Sequence, residues 1–244
     1  GLGIVIGNVE ITLLDLAAAF AALARGGVWK RPIVLANQTT TAGRQVVQPD
    51  VAYLVGDVLA DPAARLLTFG TVRAFQFPFP VALKTGTSTS FRDSWTAGWS
   101  RRYTVAVWCG NFDGRPTAGL SGATGAAPLF SDIIRALHAG QPPQAFARPP
   151  GIVEREICAT SGGSPGPSCP ARVLELFAAR KAFPEPCALH RDASSKAELP
   201  PVYASWVARR EEQGLGRFAL ATLGTPRTPG THAGPPAPGG RELA

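Results

Sequence analysis

The densest chemistry in the sequence lies in Lys84-Thr85-Gly86-Thr87-Ser88, where an ammonium, three hydroxyls and a glycine share one short run. Read as a strand, it turns Leu83, Thr85 and Thr87 one way and Lys84, Gly86 and Ser88 the other. A glycine inside a strand packs nothing, so it marks a bulge or a place where another backbone comes close. A cation beside threonine hydroxyls suits an extended peptide that ends in a carboxylate and pairs along a sheet edge. Lys84, Thr85, Gly86 and Thr87 are the residues that carry this suggestion.

A second set of reactive side chains is spaced Cys158-x10-Cys169-x17-Cys187-x2-His190. Three thiolates and an imidazole can surround zinc, although none of these spacings is a Cys-x-x-Cys knuckle. In an oxidising compartment disulfides are the alternative, with one of the three cysteines left over. The sequence leaves both readings open, and both are structural, not catalytic. Cys109 lies mid-strand and reads as a small buried hydrophobe. His138 near a helix end reads as structural, and His232 falls in the tail.

The elements that must position the first set are legible around it. A helix is expected over residues 11–27, with Thr12 and Asp15 as a capping-box-like start and Gly26-Gly27 as its left-handed exit. Asp50 is expected to cap a second helix through about Ala60 that buries Val51, Leu54, Val55 and Val58. Short extended pieces are expected at Val28-Trp29 and Ile33–Leu35, and a loop or weak helix over 61–79. Alternation then predicts three antiparallel strands within Val81–Gly110, with the Lys-Thr-Gly strand first and at the edge. Pro128 opens a helix carrying Leu129, Phe130, Ile133, Ile134 and Leu137 toward the sheet. Pro142-Pro143 and Pro149-Pro150 mark a linker, a short helix is expected within 201–214, and low complexity begins at about Thr222.

Composition bounds the class. The chain has 244 residues, 45% of them hydrophobic, which suffices for a core, and a net charge of +7. Its arginines are scattered, without a dense basic run or interleaved aromatics, so the charge reads as a solvated surface and no nucleic-acid partner is expected. The chain opens on Gly1 and contains no methionine, which reads as a piece of a longer protein.

Several stretches together carry a resemblance. Lys84–Ser88 is followed by Phe91-Arg92-Asp93-Ser94-Trp95, Gly98 and Tyr103–Trp108, and preceded by Val9-Glu10-Ile11-Thr12-Leu13-Leu14-Asp15-Leu16-Ala17. This resembles the third box of the penicillin-binding proteins, their following strands, and the helix before that box in bifunctional class A members. The cysteine-bearing segment is most similar to the 1C type. The resemblance implies an α+β fold with an antiparallel sheet flanked by helices, part of the serine transpeptidase or β-lactamase-like fold. Residues 1–140 would be the C-terminal half of a transpeptidase domain, 141–200 a Pro/Cys-rich linker, and 201–244 a short helix and a disordered tail.

The resemblance also implies roles. Lys84 would be catalytic, its charge favouring the substrate carboxylate and linking to a serine of another box. Thr85, Gly86, Thr87 and Ser88 would bind substrate: Thr85 and Thr87 through hydroxyls, Thr87 through an oxyanion-hole N–H, and Gly86 by leaving room for the incoming backbone. Peptidoglycan stem peptides and, in the complete protein, β-lactams would be the partners. The parent would sit outside the cytoplasmic membrane, anchored to the inner membrane through another part, and would polymerise glycan through a further domain. No cofactor is implied. The sequence departs from the family pattern in one decisive respect. No serine here has lysine three positions on, and none of Asn8, Asn37 and Asn111 follows a serine by two. A non-catalytic, zinc-bearing interaction module remains the alternative.

Overall fold

The structure, a computed structural model, describes residues 2–7, 9–190, 196–214 and 218–220. Two compact units, Gly1–Gly151 and Ile152–Ala244, are distinguished and are described separately. The first contains helices α1 (Leu13–Ala24), α2 (Pro49–Ala60), α3 (Pro62–Phe69) and α4 (Ala127–Leu137). Its strands are β1 (Val28–Trp29) paired with β2 (Arg44–Gln45), and a sheet in the order β3 (Ala82–Thr87), β4 (Asp93–Trp99), β5 (Thr104–Gly110). That sheet is the expected antiparallel meander, with Lys84 opposite Ala97 and Ala97 opposite Ala106.

Side-chain alternation gives the sheet two faces. On one, Leu83, Val105 and Val107 meet Phe130 and Ile134 of α4, with Phe75 and Val81 completing the cluster. Phe130 and Ile134 are fully buried, so α4 covers this face through one narrow stripe, while Leu129 and Leu137 stay exposed. On the other face the buried Trp99 receives Phe20 of α1 edge-on at 5.7 Å. α1 is capped by Thr12, whose Oγ1 accepts from the Asp15 amide at 3.1 Å, and it ends at Gly26 and Gly27, both with positive φ. Asp15 accepts from the Thr12 hydroxyl instead of reaching back to its amide.

The second helix differs from expectation in the face it buries. Ala52 and Gly56 are buried, and Val51, Val55 and Val58 are exposed. The cause is Trp99: a Cβ built on Gly56 would lie 3.2 Å from Trp99 Cζ2, so only the small-residue stripe approaches the indole. Asp50 is not the cap either; Gln48 is, and Pro49 puts Asp50 inside the first turn, where its carboxylate accepts from Val51 N at 2.8 Å. Ile33–Leu35 forms no strand and is exposed. Within 61–79, Asp61 caps α3 and a short 3₁₀ turn covers Arg73–Phe75.

In the second unit, β6 (Ile152–Cys158) pairs antiparallel with β7 (Arg172–Ala178), two strands inside the Pro/Cys-rich segment that composition alone does not single out. β8 (Ala197–Leu199) pairs with β9 (Phe218–Leu220), and α5 (Ala204–Glu212) follows a 3₁₀ turn at Pro201–Tyr203. The tail expected from about Thr222, with His232, lies outside the described residues. Among the described residues no helix is long and apolar enough to cross a membrane.

Candidate functional site

Antiparallel pairing alternates residues that exchange hydrogen bonds with residues that do not. Ser88 N–H donates to Asp93 O at 3.0 Å, which sets the phase for β3. Lys84, Gly86 and Ser88 therefore bond toward β4, while Thr85 and Thr87 turn their N–H and C=O outward. Among the described residues no strand pairs with that outer side of β3. The edge is free to accept an extended chain.

Lys84 lies along this edge. It is exposed, and its Nζ donates to the outward-facing Thr85 carbonyl at 2.7 Å. The Thr85 hydroxyl has no hydrogen bond among the described residues. Thr87 Oγ1 accepts from Gly122 N at 2.9 Å, which fixes its rotamer and leaves its own proton to donate. Ser88 is engaged in the turn after β3, its Oγ accepting from Asp93 N at 2.8 Å. That turn contains two consecutive non-glycine residues at positive φ, Ser90 (59°) and Phe91 (54°). Such backbone is strained for a bulky residue, and Thr117 holds it by donating both N–H and Oγ1 to Phe91 O. Asp93 Oδ1 accepts from the Trp108 indole N–H at 2.8 Å.

The backbone that comes close to Gly86 belongs to the chain itself. A π-helical turn, Gly122–Ala126, leads into α4, and a Cβ on Gly122 would lie 2.6 Å from Gly86 O and 2.7 Å from Trp95 O. A Cβ on Gly86, by contrast, would meet only Trp95 Cβ at 3.4 Å, an ordinary contact. Two buried hydroxyls of β4 fasten the same turn. Ser94 Oγ donates to Ser121 O and accepts from Ala126 N, and Thr96 Oγ1 donates to Gly122 O at 3.1 Å. Gly125 is equally confined, since its Cβ would meet Ser94 Oγ at 2.6 Å. Sequence reasoning missed Ser94, Thr96 and Gly122; the signal was the small-residue run Ser121–Ala127 directly before a helix.

The second set converges as well. The ligand atoms of Cys158, Cys169, Cys187 and His190 all lie within 4.8 Å of one another. His190 Nδ1 is 3.4 Å from Cys158 Sγ and 3.3 Å from Cys187 Sγ, and the cysteines form no disulfide. Burial holds the His190 imidazole below its usual range. Burial pushes the Cys158 thiol up, but hydrogen bonds from Ser161 and Thr160 outweigh it and leave that thiol lowered. Burial pushes the Cys169 thiol up, and the nearby Cys187 and Cys158 sulfurs add to this. Cys109 is separate from the set and half-buried against the sheet core. His138 caps the end of α4 and stacks on Phe79 at 4.1 Å.

Comparison with known proteins gives a consistent picture. Residues 2–135 match the penicillin binding protein transpeptidase domain, and residues 148–192 match the penicillin-binding protein 1A, C-terminal domain. Penicillin-binding protein 1C of Escherichia coli (strain K12) is 31% identical over 166 residues, covering 67% of this chain and 21% of that protein. Penicillin-binding protein 1A of Clostridium tetani is 28% identical over 177 residues, covering 67% of this chain and 22% of that protein. The chain thus spans about a fifth of these relatives' length. The crystal structure of penicillin-binding protein 1A from Haemophilus influenzae superposes with a TM-score of 0.63 at 21% identity, over 77% of this chain and 34% of that one. That likeness supports the α+β fold.

Proposed function

The chain belongs to the penicillin-binding protein transpeptidase family, and from that premise we propose that its β3 edge is the substrate-receiving wall of a peptidoglycan D,D-transpeptidase. The observation that carries this reading is the open edge itself, where Thr85 and Thr87 present backbone N–H and C=O outward beside a free Thr85 hydroxyl and the Lys84 ammonium.

A stem peptide would add as an extended strand, its main chain bonding to Thr85 and Thr87 and its terminal carboxylate taking their hydroxyl protons. Lys84 would release the Thr85 carbonyl and supply positive charge to that carboxylate. The Thr87 N–H would then face the scissile carbonyl as one oxyanion donor, a contribution of about 3 kcal/mol to transition-state stabilisation in comparable sites. The nucleophilic serine with its lysine, and the Ser-x-Asn box, are not among these 244 residues, so acyl transfer needs residues supplied from elsewhere in the parent. On this reading the parent works outside the cytoplasmic membrane and carries a glycosyltransferase domain as well.

Two measurements on the 244-residue chain test the proposal. Fluorescent penicillin leaves no covalent band after denaturing electrophoresis. An acyl-D-Ala-D-Ala peptide nevertheless shifts the Thr85 and Thr87 amide resonances, and the same peptide amidated at its C-terminus does so far less. A peptide that moves neither amide would sink the assignment of the edge.

A further inference from the structure

Among its described residues, the second unit has few large buried side chains. Its buried apolar residues are Ile152, Ile157, Cys158, Cys169, Ala178, Ala197 and Val207, most of them small. Small units have marginal cores, and many of them add a disulfide or a metal. No disulfide joins its cysteines, yet three of them and a buried histidine meet at its centre. Cys158 is fully buried, and Cys169 and His190 are nearly so.

The geometry separates the two staples. A disulfide would bring two sulfurs to about 2.0 Å and leave the third unpaired. Instead, two sulfurs flank the same imidazole nitrogen, at 3.3 and 3.4 Å from Nδ1. Zinc bonds of about 2.3 Å to sulfur and about 2.0 Å to nitrogen set tetrahedral neighbours about 3.5–3.8 Å apart, so one ion fits between these atoms with small adjustments. Amide N–H groups already point at the sulfurs, with Gly166 N donating to Cys169 Sγ at 3.3 Å. Such donors favour the thiolate form that a metal requires.

Backbone hydrogen bonds tie the donor-bearing loops to one another. Cys158 N donates to Gly163 O, Ser164 N to Glu185 O, and Cys187 N to Ser164 O, so the loop after β6 is laced to the segment bearing Cys187. Gly163 has to be glycine there, since its Cβ would lie 2.7 Å from Glu185 O. These bonds bring the loops that carry Cys158 and Cys187 together.

We infer that Cys158, Cys169, Cys187 and His190 bind a single Zn²⁺ through three thiolate sulfurs and His190 Nδ1. All four positions are filled by protein, so the site is closed to water and structural, not catalytic. Binding releases the three thiol protons and leaves a net charge of −1 on the cluster. Soft thiolates with one imidazole, and no carboxylate, select zinc over magnesium or calcium.

The test uses the whole chain, purified under reducing conditions from zinc-supplemented culture. Elemental analysis gives about one zinc per chain; Cys187→Ala and His190→Ala lose it, Cys109→Ala retains it, and His190→Cys, which restores a fourth donor, also retains it. If the cysteine variants do not fold, the unmodified chain still decides the matter. Cobalt(II) exchanged into it gives the visible bands of a tetrahedral site, together with sulfur-to-cobalt charge transfer. Zinc at trace levels only, an octahedral cobalt spectrum, or a disulfide mapped between any two of the three cysteines would overturn the inference.

Discussion

The β3 edge and the Cys/His cluster are opposite kinds of site. The first is open and partly exposed, and its backbone donors point outward to groups the described residues do not supply. The second is buried and closed, with its whole donor set drawn from residues 158–190. An open edge must wait for its ligand, so everything around it works to hold a strand still. A closed cluster is already matched to a point charge, and its ligand becomes part of the fold. The difference predicts where each site fails when disturbed.

The largest effect is expected from removing metal. Structural zinc contributes on the order of 10 kcal/mol to small units of this kind. A strong chelator should therefore abolish hydrogen-exchange protection in β6 and β7 while β3–β5 keep theirs. Equal loss in both regions would erase the contrast. Next comes Phe130→Ala, which empties the fully buried anchor of α4 and should cost about 3–5 kcal/mol in urea unfolding.

Gly122→Ala sharpens the comparison further. The added methyl faces two backbone carbonyls that cannot swing aside, so about 1–3 kcal/mol of destabilisation is expected, with a displaced Thr87 amide resonance. Thr87→Val keeps the shape but removes the acceptor for Gly122 N. Stability should fall by about 1–3 kcal/mol, and peptide-induced shifts at the edge should vanish. Lys84→Met should be the mildest, within about 0.5 kcal/mol in stability because the side chain is exposed. Its effect should appear as weaker binding of the carboxylate peptide; unchanged binding would remove Lys84 from the site.

Much of the first unit was legible because its signals are local. The strands from Val81 to Gly110 alternate cleanly and are joined by short turns, and α4 announces itself with Pro128 and a helical stripe. α2 was legible as a helix but not in its orientation, because the valines gave the stronger apolar signal while Trp99 left room only for Ala52 and Gly56. The β6–β7 hairpin escaped because its strands are 13 residues apart, separated by a Ser/Gly/Pro-rich loop, and the first carries Glu154, Arg155 and Glu156 mid-strand. At the candidate site, residue types alone picked out Lys84–Ser88. The partner that fixes Thr87 lies 35 positions away in a run of small residues, where no periodicity points to it.

The bond from Gly122 to Thr87 has an electrostatic consequence. Gly122 begins a continuous helical run into α4, and its N–H is one of the unsatisfied donors at the positive end of that run. By spending that donor on Thr87 Oγ1, the chain carries helix-end potential through a hydroxyl toward the open edge. A side-chain ammonium can be neutralised by base or mutation, whereas a peptide dipole carries no proton to lose. On the proposed reading, part of the edge's attraction for a carboxylate would belong to the backbone, and it should persist when Lys84 is replaced.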